Sequence, residues 1–132
     1  MIAGYVADLT AIVRLLADGE EGADARTALE VLTEDGHTLL LPVTALAQAA
    51  IIADPDPAQL MWLFGFRSCI VEDLTRQETF RVVRQARHAP HPLEVPLHHA
   101  HTAHLALDRG WPVLTGDAAG WAGYGHLEFF QV

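Results

Sequence analysis

Short apolar runs alternate along this chain with longer amphipathic segments, and a parallel sheet wrapped by helices is the arrangement that alternation favours. The residues 2–8, "IAGYVAD", form a first expected strand ending on Asp8, with "LTAIVRLLAD" as the helix behind it. A second helix over 23–36 is stopped by Gly36. The buried strand "HTLLLP" closes on Pro42, and the helix "VTALAQAAIIAD" follows. The run "DPDP" opens the helix "AQLMWLFGFR", because proline suits a first turn and not an interior. Next come a strand "SCIVEDL", an arginine-bearing helix within 75–89 and the proline-rich loop "HAPHPLEVP". A histidine-rich helix, the strand "WPVLTGD", a short helical turn and the strand "LEFFQV" complete the series. The expectation is a three-layer α/β/α fold on a parallel sheet of about five strands, as one domain over 1–132. No repeat, linker or low-complexity tract interrupts it.

With 132 residues and 51% hydrophobic content the chain suits one core and is too short for two. The first residues carry no basic leader and no small-residue cleavage pattern, and no apolar run approaches a membrane span. A single cysteine, Cys69, excludes an internal disulfide and a cysteine-based zinc site; on a buried strand it is expected to be inert. These features point to a cytoplasmic protein with no membrane partner. The net charge is −9 with the eight histidines neutral, so bulk electrostatics cannot hold nucleic acid at neutral pH. All eight basic residues are arginine. Arg81, Arg84 and His88 share one helix face, Arg76 and Arg87 lean toward another, and the set reads as a solvated surface rather than a phosphate site.

In open parallel sheets chemistry collects at the carboxyl ends of strands, where strand order reverses. Asp8 and Asp117 end two expected strands, each with a threonine two residues away, in "DLT" and "TGD". Such acids can bind a hard cation while Thr10 and Thr115 orient it or its water. An aspartate at a strand-to-helix junction can equally be only an N-cap. Four histidines stand within "HHAHTAH": His98, His99, His101 and His104. His98, His101 and His104 fall on one stripe, expected to be a polar helix face, with His99 rotated away from it. His88 and His91 flank Pro90 and read as exposed. Trp111, Trp121, Phe129 and Phe130 read as core rather than a base-stacking platform.

The segments "YVADLTAIVRLLAD", "LLLPVTALAQAA" and "HHAHTAHLALDRGWPVLTGDAAGWAGYGHLEFFQV" together resemble a PIN domain, the small nuclease fold of VapC-type toxins. The resemblance spans nearly the whole chain and is sharpest over its last forty or so residues. It implies a cluster of acids holding magnesium or manganese, which activate water against an RNA phosphodiester. The family's second acid falls at Gln48, six residues after Pro42, and its third at His99, with Ala100, Ala103 and Ala106 in the small-residue positions. The implied catalytic set is Asp8, Gln48, His99 and Asp117, with Asp8, Asp117 and His99 as metal ligands supported by Thr10 and Thr115.

Two of four acids are thereby replaced, which weakens a magnesium site, while imidazole favours manganese, zinc or nickel. Two functions compete. One is a VapC-like endoribonuclease, weakened or retuned, with His99 as third ligand or general base and Gln48 orienting water. The other is a PIN-like binding or regulatory module with no cofactor, paired with an antitoxin-like protein or with itself as a homodimer. A nucleotide-binding doubly wound domain is disfavoured, since no glycine-rich loop follows the first strand.

Overall fold

In the computed structural model, which describes residues 3–132, five parallel strands alternate with six α-helices. The strands are β1 (Gly4–Ala7), β2 (Thr38–Pro42), β3 (Cys69–Glu72), β4 (Val113–Thr115) and β5 (Phe129–Gln131). The helices are α1 (Leu9–Leu16), α2 (Gly19–Glu34), α3 (Val43–Ala53), α4 (Pro57–Phe64), α5 (Thr79–Arg87) and α6 (Leu97–Arg109). Ile2, expected at the start of the first strand, lies outside the described residues.

The sheet order is β3-β2-β1-β4-β5. From β1 the chain builds outward to β3, then crosses back to lay β4 on the other side of β1, so strand order reverses between β1 and β4. Val6 pairs with Leu40 on one side and with Val113 on the other. Alternation along the strands divides the interior in two, as the period of two requires. Ala7, Leu39, Leu41 and Leu114 pack with α1 to α4, whereas Val6, Leu40 and Val113 pack with Ala103, Leu105 and Ala106 of α6 and with Trp121, Tyr124 and Leu127. Helices therefore cover both faces, giving three α/β/α layers.

Local chemistry sets the boundaries. Asp56 and Gln59 make a reciprocal capping box before α4, with Pro57 in the first turn. Gly110 ends α6 at φ 67°, a left-handed cap that a side chain would strain. Gly4 admits the Trp111 ring, since a Cβ there would lie 2.6 Å from it. Helix α2 starts at Gly19, earlier than expected, because Gly22 is buried at a close approach to Ala17 and continues the helix. Strand β3 is an edge strand, not a buried one: Ile70 and Val71 are exposed and Cys69 is half-buried. Phe130, on the other edge strand, is 49% exposed and leans on Tyr5 instead of entering the core. Trp121 is core as expected, and Trp111 and Phe129 pack at its margin.

Candidate functional site

The end of β1 and the end of β4 meet at the switch point, and Asp8 stands there with 5% of its surface exposed. Its backbone N–H donates to the Leu114 carbonyl, which fixes it beside β4. Its carboxylate receives four hydrogen bonds. Oδ1 accepts from the Ala11 N–H at 2.9 Å and from the Thr10 hydroxyl at 2.7 Å. Oδ2 accepts from the Thr115 hydroxyl at 2.5 Å and from the Trp121 indole Nε1–H at 2.8 Å. The Ala11 contact makes Asp8 the N-cap of α1. Thr10 and Thr115 extend the cluster, their hydroxyls 3.2 Å apart, and accept from the backbone N–H groups of Gly116 and Asp117. A carboxylate has about four lone-pair positions, so Asp8 has none left over.

Beside this cluster opens a cleft of about 360 Å³ lined by Asp8, Thr10, His98, His99 and Asp117, with Trp121 and Tyr124 in its wall. Three of the four residues expected to converge therefore do so. Gln48 does not: it is exposed on α3 and outside the lining. The helix turns it outward because the buried positions of α3 are Ala45 and Ala49, and Gln48 is rotated off that face. Asp117 is exposed on the cleft rim and precedes a 3-10 turn, Ala118–Trp121.

His99, in the first turn of α6, lies flat on Trp121, with ring centroids 3.7 Å apart and planes 16° from parallel, and meets the edge of Tyr124 at 5.4 Å. Burial, then the neighbouring His98, depress its pKa, opposed by the Asp8 charge; His98 is depressed by burial against the same Asp8 pull. Both imidazoles are neutral at pH 7. The stacked ring is held by the indole and not by a carboxylate.

Two of the three histidines of the expected polar stripe on α6, His101 and His104, are instead interior, while His98 is half-buried at the cleft. His101 is wholly buried and its Nδ1 bonds the Thr44 hydroxyl at 2.9 Å; His104 is 8% exposed and its Nε2 bonds Glu78 at 2.9 Å. Helix α6 packs against α3, α5, β1 and β2 at once, so a seven-residue stretch has no solvent face to offer. Thr44 and Glu78 supply the partners, a signal the sequence carries only as isolated polar residues on other helices. His88 and His91 are exposed as expected, and Arg81, Arg84 and His88 do share one groove wall beside α6.

The donor set does not fit a resident divalent metal. Asp8 is saturated, His99 is stacked, Gln48 is elsewhere, and no group of three or more His, Cys, Asp or Glu among the described residues is placed to hold an ion. Burial pushes the Cys69 thiol up to about 11, so it is a poor nucleophile. Among the described residues no helix is long and apolar enough to cross a membrane. No family model and no curated protein matches this chain.

Proposed function

We propose that this chain is a PIN-like domain that binds through the cleft at the β1–β4 switch point and does not hydrolyse RNA by a divalent-metal mechanism. The observation that carries the reading is the Asp8 carboxylate, whose four lone-pair positions are all taken, one of them by the Trp121 indole N–H, a donor that has no lone pair to offer an ion in its place. The cleft itself suits a protein segment. Pro90, Val95, Pro96 and Tyr124 supply apolar wall, while Glu94 and Asp117 put acid on the rim. An acidic rim on a chain of net charge −9 repels a phosphate backbone and favours a partner with apolar and basic side chains.

The test is cleavage of a labelled RNA panel by the native chain and by Asp117→Asn, each with magnesium and with manganese. Neither protein is expected to cleave. Cleavage by the native chain that disappears in Asp117→Asn would overturn the binding reading and restore the nuclease.

A further inference from the structure

Of the four donors on Asp8, three are compatible with a bound cation and one is not. The Ala11 N–H opens α1 and would point at this carboxylate whatever occupied its other lone pairs. The Thr10 and Thr115 hydroxyls rotate, so each can turn its proton off the carboxylate. Their mutual contact at 3.2 Å gives the buried Thr115 hydroxyl an alternative acceptor in Thr10. The Trp121 indole N–H differs on both counts. It is a donor only, and its ring cannot turn.

The immobility comes from packing. Trp121 is 1% exposed, with His99 stacked on one side at 3.7 Å, Phe129 near-parallel at 5.8 Å and Tyr124 edge-on at 5.3 Å. We propose that the Trp121 indole N–H occupies on Asp8 Oδ2 the position a divalent cation would need, and that His99 packs with Phe129 and Tyr124 to hold the indole there and is not a ligand. This rests on the binding reading and goes past it by naming the pair of side chains that closes the site. The partial positive charge of the N–H and a cation compete for one lone pair, and the N–H is covalently in place at no cost in translational freedom.

Neither residue alone should reopen the position. His99→Asp frees one face of the indole and adds a carboxylate beside the cleft, but Phe129 and Tyr124 still hold the N–H on Asp8. Trp121→Phe removes the donor and keeps the ring, but leaves a neutral imidazole over the opening. Only the double change frees Oδ2 and supplies a second charged oxygen ligand near it.

Mn²⁺ binding, read by loss of the free-ion paramagnetic resonance signal, is the measurement, on the native chain, both single variants and the pair. The native chain should bind none at millimolar Mn²⁺. The double variant should bind at least about tenfold more tightly than either single, a non-additivity expected of residues in contact. A double variant with native-like circular dichroism and melting that binds no better than the singles would overturn the proposal. Should that variant not fold, the native chain decides: the Trp121 indole proton resonance should keep its position and width under Mn²⁺, and its broadening and displacement would equally overturn it. RNA cleavage by the native chain with no manganese bound would sink the binding reading and leave this proposal standing, whereas cleavage accompanied by manganese binding would overturn both.

Discussion

A buried carboxylate with four donors stabilises its surroundings only while it remains an acceptor. Asp8→Asn turns one oxygen into an NH₂ that must face donors, either the Thr10 and Ala11 pair or the Thr115 and Trp121 pair. The expected loss is about 2–3 kcal/mol, the cost of buried groups left unpaired, seen as a fall in Tm of roughly 10 °C in thermal denaturation. The sign is informative. An acid kept for an ion is repelled by its neighbouring acids when the ion is missing, so neutralising it would raise Tm instead. Asp117 is exposed, and Asp117→Asn should stay within about 0.5 kcal/mol of the native chain by the same measurement.

At the scale of elements, α6 joins the two halves of the chain and carries its pH response. His101 is held below its usual pKa by burial first and then by His104, with Glu78 and the Asp73 backbone pulling the other way. Its Nε2 is buried without a well-formed hydrogen bond, so a proton there would have no acceptor of good geometry. Because the folded pKa is depressed, the unfolded chain binds the proton first. The stabilisation is complete above about pH 6.5, the unfolded histidine value, and drains away as pH falls through and below it. His98 and His99 are depressed too and add to the same slope. Melts from pH 8 to pH 5 should show a plateau and then a decline, and His101→Gln should flatten part of that decline. The strands and helices were legible where each rests on a local signal, such as the run before Pro42, the stop at Gly36 or the proline in the first turn of α4. The convergence of Asp8, His99 and Asp117 was legible from topology. The burial of His101 and His104 was not, because Thr44 and Glu78 lie far away in sequence and no periodicity within α6 reports them. Gln48 failed for a related reason: a fixed spacing from Pro42 names a position but not the face it turns to.

Over the whole molecule, acid on the surface and apolar edges set the colloidal behaviour. The pI is about 5.1, and protonating all eight histidines would leave the charge near neutral. Solubility should therefore be lowest near pH 5, where the fold is also losing stability. The edge strand β3 exposes Ile70 at 46% and Val71 at 37%, so Ile70→Lys should lower light scattering there by blocking edge pairing. The position of Trp121 has a further consequence in time. It lies 113 residues after the carboxylate it serves, so at about 5–20 residues per second a ribosome takes about 6–23 s between synthesising the two. Through most of that interval β1 has β2 available but neither β4 nor the indole, and Asp8 has only its two near donors, the Thr10 hydroxyl and the Ala11 N–H. The β4 side of the central strand can therefore be completed only near the end of synthesis.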